Sequence, residues 1–218
     1  MQLLGHLGMS GRMYLLPKAD PLPKHAAVAL DLGDERFVFE DTRYFGRLTL
    51  DTSPLAKLGP EPLSSEFTTE RFTEALARSA QPIKVRLLDQ TLVAGVGNIY
   101  ASEALFRGGI SPGIPARKLR PKQVQQLWKS IREVLAEAID QGSTQLLDFH
   151  GTKTPDNFFY FGRAQGAIDS YEERLFVYGR QGELCLICGT RIRHCVQAAR
   201  STFYCPHCQA PRRHRFQD

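Results

Sequence analysis

Several features that define other classes of protein are missing from this 218-residue sequence. No apolar run approaches the ~20 residues that a membrane-spanning helix needs, and the first residues lack the basic region and apolar core of a signal peptide. Cysteine is absent from residues 1–184, whereas a small secreted domain held by disulfides spreads its cysteines along the chain. We therefore expect a cytoplasmic protein, with no membrane association, whose clustered cysteines bind metal.

Lysine is absent from the last 34 residues, yet these residues carry the whole net charge of the chain. Six arginines between Cys185 and Asp218 are opposed by one acid, and the other basic and acidic residues balance, so the net charge of +5 is local. Arginine suits planar, multidentate anions, phosphate above all. The charge distribution therefore indicates an anionic partner for the C-terminal segment.

The order of sequence patterns predicts an α+β protein. The composition, 42% hydrophobic and 23% charged, is that of a globular chain. Short stretches punctuated by Gly, Asp and Pro predict strands up to residue 51, and the Pro- and Ser-rich residues 53–66 predict a linker. Helical patterns follow in residues 67–142, and a short strand is predicted again at Leu175–Gly179.

Four helices are predicted in the middle of the chain, over residues 69–79, 82–90, 99–107 and 121–141. Thr68 or Thr69 would cap the first, and Pro82 would open the second. The last helix is the clearest, because apolar residues recur from Val124 to Ile139 at the i, i+3, i+4, i+7 spacing. Such a helix is predicted to pack its apolar face on the core.

Two Cys-x2-Cys pairs, separated by 16 residues, lie near the end of the chain: Cys185 with Cys188, and Cys205 with Cys208. Each tight turn points two sulfurs at one centre, and a hairpin returns the second pair to the first, with Zn–S distances of about 2.3 Å. Two redox motifs are the alternative. Four thiolates close the coordination sphere, so we expect one structural Zn²⁺, with Cys195 a structural residue of the hairpin.

Basic side chains lie on the predicted hairpin between the cysteine pairs. A zinc-held hairpin is rigid, so it would aim its basic residues at a nucleic-acid groove or along phosphates. A solvated basic hairpin without a partner is the alternative. These residues are Arg191, Arg193, His194 and Arg200.

A second candidate phosphate site is the segment Val93–Asn98, which separates two predicted helices and is too rich in glycine for a helix interior. Gly95 and Gly97 allow the backbone to approach an anion closely, and helix N-termini bind phosphate. Asn98 would cap the following helix and donate to phosphate. A plain helical hairpin with a cap is the alternative.

Motifs along nearly the whole chain are similar to those of one known family. They are His6–Gly11, Asp41–Gly46, Leu58–Leu63, Leu87–Glu103, Val177–Arg180 and Arg200–Gln209. Together they resemble the formamidopyrimidine-DNA glycosylase (Fpg/Nei) family of base-excision repair enzymes. The resemblance implies the remainder of an N-terminal β-sandwich at 1–52, a linker at 53–66, a helix-two-turn-helix DNA-binding domain at 67–150, a lesion-loop region at 151–175, a zinc-ribbon finger at 176–210 and a basic tail at 211–218.

The resemblance implies a DNA glycosylase and AP lyase that acts on double-stranded DNA with an oxidised purine, such as 8-oxoguanine or formamidopyrimidine, or with an abasic site. The damaged base must leave the stack, because its reacting atoms are unreachable inside a duplex. By resemblance, Met9, Arg43 and Phe45 fill the gap, and Arg200 binds phosphate and assists δ-elimination. The remaining contacts to DNA or the lesion are His6, His25, Lys84 and Asn98. We expect a monomer in a bacterial-type cytoplasm, at the nucleoid during repair.

The start of the sequence departs from the family. As the resemblance implies, the nucleophile is the amine of an N-terminal proline followed by glutamate. This sequence begins Met1-Gln2-Leu3-Leu4, and Ala199 stands where we expect glycine in a tight hairpin. We therefore expect an N-terminally truncated member that is inactive as given. The alternatives are a non-catalytic zinc-ribbon and helix-two-turn-helix module that binds damaged or bent DNA, and a zinc-ribbon module that binds protein.

Overall fold

The computed structural model describes residues 2–8, 10–140 and 175–210. The chain divides into two compact units, each described by itself below. The first comprises Met1–Ala56 and Gly142–Glu172, and the second comprises Lys57–Gln141 and Glu173–Asp218. Within the described ranges, no helix has the length and apolar character needed to cross a membrane.

The first unit contains two antiparallel sheets made from five strands. One sheet pairs β1 with β5, and the other has the strand order β2-β4-β3. The strands predicted up to residue 51 are confirmed, with the first predicted stretch divided in two by the turn that follows β1. The strands are β1 (Leu4–His6), β2 (Gly11–Pro17), β3 (Ala26–Asp31), β4 (Glu35–Asp41) and β5 (Arg47–Thr49).

The central strand β4 buries a charged residue beside its apolar ones. Val38 and Phe39 are buried, and so is Glu40. Burial alone would raise the pKa of Glu40, but hydrogen bonds from Arg12 and from the Tyr14 hydroxyl hold the pKa below its usual value. The buried carboxylate is therefore ionised and paired, as a buried charge must be.

The second unit begins with four α-helices, and the four predicted helices are confirmed. Thr68 caps the first, accepting a hydrogen bond from the backbone N–H of Arg71 at 3.3 Å. The second helix ends three residues earlier than predicted, because Asp89 accepts hydrogen bonds from the backbone and hydroxyl of Thr91 and closes a turn there. The helices are α1 (Thr69–Ala77), α2 (Ile83–Leu87), α3 (Asn98–Arg107) and α4 (Pro121–Asp140), and short 3-10 helices lie at Ser53–Lys57 and Ala116–Lys118.

The core of this unit forms where α4 packs against α1 and α3. The apolar face predicted for α4 is buried, including Val124, Leu127, Ile131 and Val134. The same helix also anchors the segment that precedes α1, because the Trp128 indole donates to the backbone oxygen of Phe67 at 2.7 Å. The amphipathic pattern in the sequence therefore specified the central packing contact of the unit.

A two-stranded hairpin lies near the C-terminal end of the second unit. It pairs β6 (Arg193–Gln197) with β7 (Arg200–Tyr204), with Cys195 opposite Thr202. The turn consists of Ala198 and Ala199, whose φ angles are +48° and +57°. A two-residue turn with both φ angles positive favours glycine, because a Cβ is strained in this left-handed region.

Replacing Ala199 with glycine should therefore stabilise the hairpin, by roughly 1 kcal/mol, the cost of one left-handed alanine. Hydrogen exchange of the hairpin amides measures the effect, and slower exchange is expected. Ala77→Gly, near the end of helix α1, is the matched control and should destabilise its own element, because glycine is a poor helix former. Faster exchange in the Ala199→Gly hairpin would contradict the strain argument.

The prediction of a strand at Leu175–Gly179 is wrong, because this segment forms bends and turns. The backbone N–H groups of Phe176, Val177 and Tyr178 donate to the carboxylate of Glu103 in α3, at 2.8–2.9 Å. The side chain therefore takes the place of a partner strand as acceptor. A pattern of apolar residues alone does not reveal this substitution.

Candidate functional site

The four predicted cysteine ligands converge on one point. The Sγ atoms of Cys185, Cys188, Cys205 and Cys208 all lie within 4.8 Å of one another. Two of the Sγ–Sγ distances are 3.9 Å and 3.5 Å, close to the value of about 3.8 Å that a tetrahedron with Zn–S bonds of about 2.3 Å requires. The arrangement fits one structural Zn²⁺, and the four cysteines that the spacing predicts as ligands are brought together.

Three of the four thiols have a shifted pKa, which links their protonation to metal binding. Hydrogen bonds with Thr190 lower the pKa of Cys188 to about 6, so this sulfur is a thiolate at neutral pH. Burial raises the pKa of Cys205 and of Cys208, so zinc binding must displace their protons. A bound Zn²⁺ would supply the charge that keeps the cysteine turns closed, and with four thiolate ligands its role would be structural.

The zinc-bearing segment is anchored to the helices by Gln209, which is buried. Its side-chain oxygen accepts from the backbone N–H of Cys205, and its amide donates to the backbone oxygen of Ile110, both at 2.8 Å. Gln209 thus connects one metal ligand to the segment after α3. Sequence patterns do not predict this role for Gln209, because a lone glutamine next to a cysteine carries no recognisable spacing.

A polar cluster forms where α2, α3 and the hairpin meet. Lys84 of α2 is buried, and its ammonium donates to the side-chain oxygen of Asn98 and to the backbone oxygen of Ser201, the latter at 2.9 Å. The Asn98 amide is also bonded to the hydroxyl of Tyr178 at 3.3 Å. We call Lys84, Asn98, Tyr178 and Ser201 the amine cluster. It brings together residues that lie far apart in the sequence.

Asn98 does not cap helix α3, and that prediction is wrong. The cap position is occupied by Gly97, and Asn98 is the first helical residue. The Asn98 side chain turns to Lys84 and Tyr178 instead, so among the described residues no side chain accepts a hydrogen bond from the start of the helix. An N-terminus without a capping side chain keeps its positive end available to an anion.

The buried amine of Lys84 has an unusual acidity. In the described part of the chain it forms no ion pair with a carboxylate, and burial lowers the pKa of Lys84 to about 8. The nearby charge of Arg200 lowers this pKa further, while Cys195 opposes the shift. Lys84 is therefore poised to lose its proton in mildly basic solution, unlike an ordinary lysine with a pKa near ~10.4.

Glu103, in α3, stabilises the segment that carries Tyr178 of the amine cluster. It is 5% exposed and lies five residues after Asn98 in α3, and its carboxylate accepts hydrogen bonds from the backbone N–H groups of Phe176, Val177 and Tyr178. An acidic residue on the buried face of a helix is the sequence signal that indicates such a role. Glu103 therefore fixes the backbone from which Tyr178 reaches Asn98.

The basic residues of the hairpin differ in their surroundings. Arg191 donates to the backbone oxygen of Gly182 at 2.8 Å, and His194 packs against Phe203 at 4.9 Å between ring centroids. Arg193 and Arg200 are exposed. Arg200 begins β7 directly after the alanine turn, next in sequence to Ser201 of the amine cluster. Of the predicted tip residues, Arg200 thus combines an exposed guanidinium with a place beside that cluster.

Four of the predicted DNA-contacting residues lie in the first unit. His6 ends β1 and its Nδ1 accepts the backbone N–H of Gly8 at 3.1 Å, and His25 lies edge-on to Tyr44, with ring centroids 6.4 Å apart. Arg43 and Phe45 are exposed in the loop between β4 and β5, Phe45 by 61%. Met9, the fifth predicted residue of this part of the chain, lies outside the described residues, as do residues 151–174 of the predicted lesion loop and the basic tail.

The sequence matches known families along most of its length. Residues 1–48 match the formamidopyrimidine-DNA glycosylase N-terminal domain, residues 58–149 the formamidopyrimidine-DNA glycosylase H2TH domain, and residues 182–211 the zinc finger found in FPG and IleRS. The order of these matches follows the two sheets, the helices and the cysteine hairpin of the structure. The fold is thus that of the helix-two-turn-helix, zinc-finger class.

Curated relatives and solved structures are similar over nearly the whole chain. Formamidopyrimidine-DNA glycosylase of Thermus thermophilus is 42% identical over 216 residues, covering 96% of this chain and 75% of the relative, and that of Carboxydothermus hydrogenoformans is 39% identical, covering 94% and 72%. The structure of Lactococcus lactis Fpg in complex with abasic-site DNA gives a TM-score of 0.80 at 33% identity, covering 96% of this chain and 75% of that one. The chain belongs to the formamidopyrimidine-DNA glycosylase family.

Proposed function

We propose that this protein is a base-excision repair glycosylase of oxidised purines, 8-oxoguanine and formamidopyrimidine, in double-stranded DNA, and that it contributes the DNA-binding part of an AP lyase reaction. The observation that carries the proposal is the amine cluster beside Arg200, in a chain of this family. The cluster places a buried ammonium beside the start of α3, and the exposed Arg200, whose charge acts on Lys84, is next in sequence to Ser201 of the cluster. This combination suits a phosphodiester.

We assign the proposed phosphate binding to the second unit. Arg200 offers a bidentate fork to a phosphate at the lesion, and Asn98 donates from the start of α3. Lys84 is buried, so it acts first by orienting the Asn98 oxygen and by adding positive charge. Tyr178 holds the Asn98 amide from the other side. Zinc, when bound, supplies the rigidity that keeps Arg200 in place.

We assign the damaged base pair to the first unit. Phe45 is an exposed aromatic ring that can enter the stack, Arg43 is a planar donor for the orphaned base, and Met9 is a flexible apolar side chain. His6 and His25 are proposed to contact the DNA beside them. Extrusion of the damaged base leaves a gap, and filling it offsets the cost of unstacking.

Bond cleavage needs a nucleophilic amine, and we propose that Lys84 does not supply it. The family reaction assigned by resemblance uses a proline amine followed by glutamate. Lys84 is no substitute, because its amine is buried against Asn98 and Ser201.

Borohydride trapping tests this proposal. The 218-residue chain, incubated with an abasic-site duplex and borohydride, should bind the duplex, and the variant Lys84→Met should leave the amount of any covalent adduct unchanged. An adduct that persists in the variant Lys84→Met would reveal another amine, and one that disappears would assign the nucleophile to Lys84. The absence of any salt-dependent duplex binding would instead favour a protein-binding zinc module.

We also propose that the protein acts as a monomer, in the cytoplasm and at the nucleoid. The localised positive charge of the C-terminal segment supports a search along DNA, because arginine contacts to phosphate are independent of sequence. Sedimentation of the chain at micromolar concentration is the corresponding measurement. A stable dimer would require the proposed mode of binding to be revised.

Arg200→Ala should weaken binding to an abasic-site duplex by roughly ten-fold or more, because a charge-assisted contact of about 1.5–3 kcal/mol is lost. The salt dependence of binding should become shallower by about one phosphate contact. Arg191→Ala is the control, since Arg191 is held by the Gly182 backbone oxygen. Equal affinity of wild type and Arg200→Ala would remove Arg200 from the site.

The pKa of Lys84 predicts two opposite effects of basic pH. DNA affinity should fall several-fold as the pH rises above about 8, because the ammonium loses its proton. Folding stability should rise over the same range, because the unfolded chain, with a lysine pKa near ~10.4, binds the proton more tightly than the folded chain does. Lys84→Met should remove both trends, whereas Lys118→Met, at an exposed position, should retain them.

A further inference from the structure

The loop between β4 and β5, residues 42–46, carries a group of exposed side chains on a strained backbone. Tyr44 and Phe45 are 62% and 61% exposed, and Tyr44 has a φ of +54°. Exposing large rings to water and placing a tyrosine in the left-handed region both cost free energy, so the loop alone would not favour this conformation. Some other group must therefore hold the loop in place.

Asp41, the last residue of β4, provides that restraint. Its side chain is buried, and its carboxylate accepts the backbone N–H of Gly46 at 2.7 Å and that of Arg43 at 3.1 Å. A hydrogen bond from the Ser10 hydroxyl, followed by those from the loop backbone, holds the pKa of Asp41 below its usual value. The carboxylate is thus ionised at neutral pH, and its hydrogen bonds hold the two ends of the loop together.

The same carboxylate reaches a second loop, residues 7–10, which follows β1. The hydroxyl of Ser10 donates to Asp41 at 2.5 Å, across 31 positions of sequence. The two loops also touch directly, because a Cβ added to Gly8 would lie 2.9 Å from the backbone nitrogen of Gly46. One buried side chain therefore connects both loops.

The partners of Asp41 distinguish it from its neighbour Glu40. Glu40 bonds to Arg12 and Tyr14 within the three-stranded sheet, which is the role of a core ion pair. The hydrogen bonds that the Asp41 side chain accepts in the described ranges come from the two loops, not from the sheet. The side chain of Asp41 therefore stabilises the two loops and not the sheet.

We propose that Asp41 is a positioning residue for recognition of damaged DNA: it joins the loop that bears Arg43 and Phe45 to the loop that follows β1, so that these two side chains enter the gap in the duplex from a fixed loop. The proposal rests on the proposed function, which assigns Arg43 and Phe45 to the gap. Asp41 itself touches no DNA in this scheme. Preorganising the loops spares the cost of ordering them on binding.

The test compares damage-specific binding with general DNA binding in four versions of the 218-residue chain. These are the wild type, Asp41→Asn, Ser10→Ala and the control Asp51→Asn. Asp51 also accepts a backbone N–H in the first unit, from Ser53 at 2.9 Å, but in an exposed turn that follows β5. Each protein is titrated with a duplex that contains a tetrahydrofuran abasic analogue and with the same duplex undamaged. A 2-aminopurine opposite the analogue reports insertion by its fluorescence.

For Asp41→Asn we expect the preference for the damaged duplex to fall at least ten-fold, with a loss of the 2-aminopurine signal. Affinity for the undamaged duplex should stay within two-fold, because the phosphate contacts belong to the second unit. Ser10→Ala, which removes one hydroxyl and keeps the sheet intact, should show a smaller loss of the same kind. Asp51→Asn should match the wild type.

Three results would overturn the proposal. An unchanged preference in both Asp41→Asn and Ser10→Ala would show that the connection between the loops does not matter. Equal losses on damaged and undamaged duplex in Ser10→Ala would assign Asp41 a purely structural role. A wild type that binds the duplex without any preference for the analogue would refute the proposed gap-filling function, and this proposal would fail with it. The variant results test only the role of Asp41, so the two failures can be distinguished.

Discussion

Replacing Cys205 with serine should release the zinc and unfold the finger, with a loss of DNA binding of at least a hundred-fold. Cys205 is buried and is one of four sulfurs within 4.8 Å of one another. Structural zinc contributes about 10–16 kcal/mol in zinc-finger peptides, so removing a ligand removes most of what holds such a segment folded. The hairpin that carries Arg200 would then lose its fixed direction.

The fifth cysteine of the chain provides a matched control for this experiment. Cys195 lies in β6 opposite Thr202 and is not part of the sulfur cluster. Cys195→Ser should retain one equivalent of zinc and wild-type binding, whereas Cys205→Ser should retain none. Zinc content by atomic absorption and duplex affinity at fixed salt measure the two effects. Stoichiometric zinc in Cys205→Ser would contradict the assignment of four thiolate ligands.

Glu103→Gln should have the second largest effect, because three backbone N–H groups lose their charged acceptor at once. Hydrogen bonds to a charged group contribute about 1.5–3 kcal/mol each, and a glutamine turns an N–H group towards at least one of the three donors. We expect the segment Phe176–Tyr178 to detach from α3, at a cost of several kcal/mol. Tyr178 would then no longer hold Asn98, and binding to abasic-site DNA should fall at least ten-fold.

Hydrogen exchange at Val177 and Tyr178 measures the detachment directly, and exchange should be faster in Glu103→Gln. Glu137→Gln is the control, because Glu137 is an exposed residue that pairs with Arg107 on the surface. It should change neither exchange in this segment nor DNA affinity. Wild-type protection of these amides in Glu103→Gln would show that the carboxylate is not what holds the segment.

The features predicted from sequence are those that depend on local periodicity or on fixed spacing. The apolar repeat of α4, the cap at Thr68 and the two Cys-x2-Cys pairs each carry their physical cause within a few residues. The strands of the first unit were predicted for the same reason. The family followed from motifs that occur in order along the chain, and similarity to known relatives confirms it.

The features that were missed depend on contacts between distant residues. Glu103 satisfies backbone groups more than seventy positions away, which turned a predicted strand into a turn. Asn98 has the residue type of a helix cap, but Lys84 and Tyr178 engage its side chain instead. Local propensity was overridden by tertiary hydrogen bonds in both cases. The roles of the predicted DNA-contacting residues stay predictions until they are tested on DNA.

The most direct test of this account is the affinity of the 218-residue chain for one duplex in two forms, with and without a tetrahydrofuran abasic analogue, measured at several salt concentrations. Zinc-loaded protein should prefer the damaged duplex at least ten-fold and lose affinity for both forms steeply as salt rises. Equal affinity for the two forms would contradict the proposal that the protein recognises the gap left by a missing base. Affinity that does not change with salt would contradict the proposed contacts to phosphate.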